Sequence, residues 1–427
     1  MPLTPNLPAL AVESVKKVCS TCPFKFPVLF EIGPDGRSYY PCSMKPLIVH
    51  DDMQACESHP GNDQPVLVAT NAEIILSLMR ENGFSQILAI YGRPWTAFST
   101  HRFGIDFLQE QGIHVVTTAP AASMEWFEQD HPPAHTLIYL LSPLSVQTWR
   151  LYHILTKLKY RCLVRHTGLL PAPFRRATPF LGSIKAWFSQ RVTEFMVNHH
   201  NLFGIAPVDF FLGGGKASFS GSSPYPTGPS TRYLNGHAPD YDVYIELMKK
   251  GQMKSQVHKI AVFLDSDDFH HPDLVRMGGS APLWEGMYYA RLRRFFDIVE
   301  AIFGVHVIIA AHPLSTSTDT SRFGSREIIK GMTGDLVRAS AFVIAHASTA
   351  INMAVLFWKP IIFITDMDYV DFYVGPLIES MAGALRKKPI YIDDPAIYKA
   401  NLNTALHVDP IAYHRYIDEY IRGARGW

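Results

Sequence analysis

Two histidines at the ends of short apolar runs are the first residues in this chain placed to do chemistry. His312 closes Val307–Ala311 in the spelling AHP, and His346 closes Phe342–Ala345 in AHAST. Both runs have the length and β-branched content of buried parallel strands. Ser348 and Thr349 follow His346 where a helix should begin, so hydroxyls and free backbone N–H groups would gather at a helix N-terminus. That is anion-binding chemistry, and a phosphate suits it. Between the histidines lie Arg322, Arg326 and Thr333, which add guanidinium charge and a further hydroxyl. A third apolar run, Ile260–Leu264, opens into DSDDFHHPD, which supplies Asp265, Asp267, Asp268 and His271. Carboxylates beside a histidine suit general acid–base work. The same loop also reads as a solvated turn capping the next helix.

These residues need a frame that brings strand ends together. Short apolar runs alternate with helical periods along most of the chain: Ser85–Gly92, Gly112–Thr118, Thr136–Ser142 and Arg161–His166 in the first half, then the three runs above and Ile361–Thr365 in the second. Such alternation implies βαβ units and parallel sheets. The fold class is therefore α/β, as two Rossmann-like lobes behind a Cys-rich N-terminal segment. The boundaries fall at 1–62 for that segment, 63–250 for the first lobe, 251–400 for the second and 401–427 for a return helix. Function should sit at the carboxyl ends of the strands. That places Tyr91-Gly92-Arg93 and His166 on candidate loops, and Asp240 and Asp242 near them as further acid–base candidates. Gly213-Gly214-Gly215 lacks the spacing of a phosphate loop.

Composition narrows the classes. With 47% apolar residues and 12% aromatics over 427 residues, the chain can bury two or three cores. A formal charge of +1 gives no footprint for nucleic acid. No run has the length of a membrane span and no signal peptide is evident, so the expectation is a cytoplasmic protein, with peripheral membrane contact through an exposed aromatic surface. Four of the five cysteines, Cys19, Cys22, Cys42 and Cys56, cluster near the start. In a cytosolic protein they read as a structural metal site, zinc first and an iron–sulfur cluster second. His59 could replace one thiolate. The fifth, Cys162, lies in an apolar run and reads as inert. No cofactor is needed for the chemistry itself.

The succession HP, then FGSREIIKGMTGDLVRAS, then HASTAINMAVLFWKPIIFIT resembles the donor-binding lobe of GT-B glycosyltransferases, in the style of bacterial surface-carbohydrate and capsule enzymes. The likeness covers about residues 258–370. It implies a metal-independent glycosyltransferase that moves a sugar from a CMP- or UDP-linked donor to a glycan or glycolipid acceptor. By the same resemblance His312 and Pro313 carry the donor-phosphate contact, joined by Arg322, Arg326, Thr333, His346, Ser348 and Thr349. Asp265, Asp267 and His271 are the catalytic candidates. Asp265-Ser266-Asp267 spells a metal-binding DxD that this fold class does not require. UDP-N-acetylglucosamine 2-epimerases and polymer glycerophosphotransferases share the layout. The epimerase reading lacks its acidic turn and helix glutamate, since the helix here carries Asn352 and Met353. A non-catalytic nucleotide-binding or metal-sensing protein is the alternative outside enzymes.

Overall fold

The computed structural model describes residues 69–127, 132–171, 183–220, 223–250, 259–270, 284–313, 315, 320–370, 372, 374–395, 401–402 and 404–422. It also gives the backbone of three short antiparallel strands, β1 (Glu31–Ile32), β2 (Ser38–Pro41) and β3 (Ile48–His50). Cys19, Cys22, Cys42, Cys56 and His271 lie outside the described residues.

The first lobe is a six-stranded sheet of β4 (Gln86–Ile90), β5 (His114–Thr118), β6 (Thr136–Leu140), β7 (Arg161–His166), β8 (Phe210–Gly214) and β9 (Arg232–Gly236). Its order is β5-β4-β6-β7-β8-β9, and every pairing is parallel. Helix α1 (Asn71–Asn82) enters through a capping box between Thr70 and Glu73 and leaves through Gly83 in the left-handed conformation. The segment between β4 and β5 folds as two helices, α2 (Ala97–Arg102) and α3 (Ile105–Glu110). Gly104 separates them at φ +74°, where a Cβ would lie 2.6 Å from the Cβ of Ala72. The lobe is completed by α4 (Ser123–Phe127), α5 (Trp149–Lys157), α6 (Ser183–Asn198) and α7 (Ala217–Ser220).

Helix α8 (Pro239–Lys249) leaves this sheet but packs on the second lobe. Tyr241, Ile245 and Leu247 are buried in the second lobe's core, and Arg338 Nη1 donates to the Leu247 carbonyl at 2.7 Å. The second lobe contains β10 (Ile260–Leu264), α9 (Glu285–Phe303), β11 (His306–Ala311), β12 (Ile328–Lys330), α10 (Thr333–Ala339) and β13 (Phe342–Ala345). It continues with α11 (Ile351–Leu356), β14 (Ile361–Thr365), α12 (Gly375–Ala384), β15 (Ile390–Tyr391) and α13 (Pro410–Tyr416), which runs into a π-helical turn, Ile417–Ile421. The sheet order is β12-β11-β10-β13-β14-β15, again all parallel. Counted from β10 this is 3-2-1-4-5-6, the dinucleotide-binding order, with its reversal between β10 and β13. In the first lobe the reversal falls between β4 and β6.

The glycine run after β8 is a bearing surface for the chain's last described segment. A Cβ at Gly215 would stand 2.4 Å from the Glu419 carbonyl oxygen, and Lys216 N donates to the Asp418 carbonyl at 2.9 Å. Among the described residues no helix is long and apolar enough to cross a membrane. One apolar surface stands out near α5 and α6: Phe195 and Leu202 are 51% and 76% exposed, and Phe195 meets Phe203 edge to face.

Candidate active site

The reversal between β10 and β13 is the crevice where such sheets bind ligands. Asp265 N continues the ladder by donating to the Ala310 carbonyl at 3.0 Å, and the Asp265 carboxylate accepts from Asp267 N at 3.0 Å. That local bond holds Asp267 in the left-handed region at φ 50°, which aspartate tolerates. The turn aims Asp267 and Asp268 in different directions.

Asp267 meets Arg322. Its Oδ1 accepts from Arg322 Nη1 at 3.0 Å, and both side chains are buried. Arg322 also donates to the Tyr289 hydroxyl at 3.1 Å and lies over that ring. Burial alone would push the Asp267 carboxyl up. Hydrogen bonds from Ser315 and Arg322 and the guanidinium charge outweigh it, leaving the group below its ordinary value. Ser315 belongs to the turn after His312: its N donates to the His312 carbonyl at 3.0 Å, and its own carbonyl accepts from Lys330 Nζ at 2.9 Å. The His312-Pro313 turn is thus tied to the acidic loop.

Asp268 meets His346. Asp268 Oδ2 lies 3.3 Å from His346 Nδ1 and also accepts from the Tyr369 hydroxyl at 3.3 Å. His346 Nε2 is 2.6 Å from the Tyr288 hydroxyl. A carboxylate taking Nδ1–H leaves Nε2 to accept the tyrosine proton. The imidazole stacks on Tyr369 at 5.0 Å and meets Phe263 edge-on. Both nitrogens of His346 are therefore occupied by the protein. A cavity of about 10 Å³ lies among Asp265, Asp268, Tyr288, Tyr289, His346 and Tyr369, room for a single water molecule. The nest has no room for a larger ligand.

Asp265 is buried in the same nest. Burial, with the carboxylates of Asp267 and Asp268 adding to it, pushes its carboxyl up to about 6, against the Asp267 amide and the Arg322 charge. Asp265 can therefore trade a proton near neutrality, whereas Asp267 is held as an anion beside Arg322.

The remaining expected site residues divide. Ser348 and Thr349 lie half-buried in the turn after β13, and Ser348 Oγ accepts from Ala350 N at 3.2 Å. The helix they precede is shorter than the sequence pattern implies, starting at Ile351. Arg326 is not brought to the cluster: its Nη2 pairs with Asp297 and Glu300 at 2.6 Å each, on the i, i+3 acidic face of α9, and its guanidinium covers Phe296. Thr333 opens α10 next to Gly334, which packs under α8 against Leu247. Among the described residues no hydrogen bond joins Thr333 to the nest. Tyr288, Tyr289 and Tyr369 were invisible as site residues in the sequence. Their only signal was a Tyr-Tyr pair whose two members both turn inward on one amphipathic helix.

The first lobe's strand ends and the first turn of α8 carry the remaining candidates. Asp242 is a structural junction: it accepts from Asn71 N and Nδ2 at 3.0 and 2.8 Å and lies 2.6 Å from His237 Nε2. Burial opposes its ionisation, but His237 and Arg165 hold the carboxyl below its ordinary value. Asp240 Oδ2 accepts from Asn352 Nδ2 at 2.9 Å, and burial pushes that carboxyl up. Asn352 is the second residue of α11, one turn past Ser348 and Thr349. His166, at the end of β7, is half-buried, which lowers its imidazole; its Nδ1 is 3.4 Å from the Ser218 carbonyl.

No protein-family model matches the sequence, and no curated protein matches it. Solved structures do align with the chain. The glycotransferase of kitacinnamycin is similar over 78% of this chain and 93% of its own, at 11% identity and a TM-score of 0.43. The wall teichoic acid polymerase TagF aligns over 82% and 88%, at 12% and 0.44. The UDP-GlcNAc 2-epimerase of Methanocaldococcus jannaschii aligns over 76% and 92%, at 9% and 0.40. The likeness is one of architecture. The two-lobed α/β arrangement stands on the strand orders themselves, and no residue role comes from these neighbours.

The described residues hold no group of histidine, cysteine and carboxylate side chains set to hold a metal ion. Their one cysteine, Cys162, is buried, and burial pushes its thiol far up, so it stays protonated and inert.

Proposed function

We propose that the protein transfers a sugar from a nucleotide-activated donor, CMP- or UDP-linked, to a glycan or glycolipid acceptor of surface-polysaccharide assembly. The observation that carries this reading is the bond from Asn352 to Asp240. It joins the helix start after the second lobe's reversal to the first turn leaving the first lobe's sheet, which supports a reading in which ligands at the two strand-end crevices meet. A donor in one crevice and an acceptor in the other is the arrangement a transfer reaction needs. In this reading His312, Pro313, Ser348 and Thr349 face the donor phosphate. Arg322 and His346 position the acid loop from behind, and Asp265 is the acid–base group. No metal ion is assigned a step. The fold neighbours include both a glycotransferase and an epimerase, so the assay must separate them.

The test is binding and turnover by the purified chain. Calorimetry with CMP and UDP should show a 1:1 complex that His312→Ala and Ser348→Ala each weaken roughly tenfold or more, the scale of a lost charge-assisted bond. Intact nucleotide affinity in both variants places the site elsewhere. Incubation with UDP-N-acetylglucosamine should yield transfer or slow hydrolysis; an isomerised sugar still attached to its nucleotide selects the epimerase reading. Binding without any turnover selects the non-catalytic one.

We further propose that Cys19, Cys22, Cys42 and Cys56 hold a structural zinc ion, with four thiolates completing a closed tetrahedral site. Metal analysis should return one zinc per chain and no visible absorbance. Absorbance near 400 nm, on the order of that given by sulfide-bridged iron, replaces zinc by an iron–sulfur cluster.

A further inference from the structure

The first lobe carries a feature that the donor side leaves unused, a crowd of arginines at its strand ends. Arg165, at the end of β7, is 7% exposed. Its Nε donates to Thr167 Oγ1 at 3.0 Å and its Nη1 to the Arg102 carbonyl at 3.1 Å. Its Nη2 has no hydrogen-bond partner among the described residues, and the Asp242 carboxylate it faces is 3.9 Å away. Arg102 ends α2, half-buried, with its guanidinium 5.7 Å over Phe98. Among the described residues no hydrogen bond or ion pair holds that guanidinium. Arg93, in the loop after β4, adds a third positive charge that bears on Arg102.

The nearby carboxylates have other hydrogen-bond partners. Asp242 serves Asn71 and His237, and Asp240 takes the Asn352 amide. Burial pushes the Arg102 guanidinium down from its ordinary value; the Asp240 charge offsets part of that, and Arg165 and Arg93 add to it. A half-buried cation with unused donors, crowded by its like, is costly unless a bound anion completes it. Asn352 Oδ1, at the same junction, is buried without a partner among the described residues. The loops after β4 and β6 flank the first lobe's own reversal, the place where this kind of sheet takes a ligand.

We propose that Arg102 and Arg165, with Arg93 beside them, form an oxyanion site that binds the phosphate or carboxylate of an acidic acceptor. Only the word acceptor rests on the transferase reading; the anion site does not. Arg102 supplies a guanidinium with unused donors, and Arg165, bonded to the Arg102 carbonyl, supplies the buried Nη2 donor.

Calorimetric titration with inorganic phosphate, glucuronate, CMP and UDP tests this in the full chain. Arg102→Gln should weaken phosphate or glucuronate at least tenfold while leaving CMP and UDP unchanged, and Arg102→Lys should retain part of the binding. Whichever of phosphate and glucuronate binds tighter names the acceptor's acidic group. His312→Ala should do the reverse, losing nucleotide and keeping the anion. Because no hydrogen bond or ion pair among the described residues holds the Arg102 guanidinium, Arg102→Gln should melt near the wild-type temperature, so lost binding is not lost folding. Unchanged anion affinity in Arg102→Gln overturns the site, as does a wild-type chain that binds neither anion. If Arg102→Gln weakens nucleotide in step with phosphate, the arginines serve the donor and the proposal fails. If nucleotide never binds but phosphate binding still depends on Arg102, the transferase reading fails and the anion site stands.

Discussion

Asp265→Asn is expected to make the protein more stable and less active at once. The Asp265 carboxyl is pushed up to about 6 in the folded chain from an ordinary value of 3.8. The sign follows from proton binding. Between those values the folded state holds a proton that the unfolded state has released, so this group's contribution to stability falls as pH rises from about 4 to about 6. At pH 8 the folded chain bears the full cost of a buried anion, about 2–3 kcal/mol at 1.4 kcal/mol per decade of proton affinity. Asparagine is neutral at every pH and its oxygen can still accept the Asp267 amide. Urea midpoints should therefore favour the variant by about 2 kcal/mol at pH 8, with the difference vanishing near pH 4. Under the proposed transfer reaction, activity should fall by about 10²–10⁴, the usual worth of a positioned acid–base group. A variant that keeps full transfer removes Asp265 from the chemistry; a stability gain independent of pH removes it from the nest.

The other large effect is at Arg322. Arg322→Met keeps apolar bulk over Tyr289 and Phe323 but leaves Asp267, 3% exposed, with its main counter-charge gone. Breaking a buried pair from one side costs about 3–5 kcal/mol at neutral pH, more than the pair's net worth, because the remaining charge is stranded. In the wild-type chain Asp267 is held low, so its contribution is present above the ordinary carboxylate range and is lost as pH falls through the folded value. The deficit of Arg322→Met should accordingly shrink toward pH 4, where Asp267 can take a proton. Adding Asp267→Asn should recover most of it, and a double variant as unstable as the single one would show that the guanidinium acts through Tyr289 and not through Asp267.

Much of this architecture was written in periodicity. The buried strands Gln86–Ile90, Thr136–Leu140, Ile260–Leu264 and Phe342–Ala345 are continuous apolar runs because both faces of a parallel sheet are covered. Two strands that periodicity did not mark are at edges: Ile328–Lys330 and Ile390–Tyr391 are only three and two residues long, too short to show a period. In the site, residue type located the acid loop, the His-Pro turn and the His-Ala-Ser-Thr turn, since strand ends must meet at one edge. What type and spacing could not say is who pairs with whom. Arg322 and Arg326 look equivalent in sequence, four residues apart, yet one turns to Asp267 and the other to the acidic face of a helix. Likewise His346 is engaged by a tyrosine 58 residues upstream, a contact that only the tertiary fold creates.

The segment bearing on the glycine run has a mechanical meaning. Tyr413, Tyr416 and Ile421 are sunk in the second lobe's core, while Asp418 and Ile421 hand their carbonyls to Lys216 and Ala238 on the first lobe's side. Helix α8 crosses in the same neighbourhood, fixed to the second lobe by Arg338. The two sheets are thus joined like a door on two knuckles set along one edge. Such a joint permits swinging about a single line and resists sliding or twisting. Arg102 and the His312 turn lie on opposite sides of that joint, so any swing about it changes the distance between them.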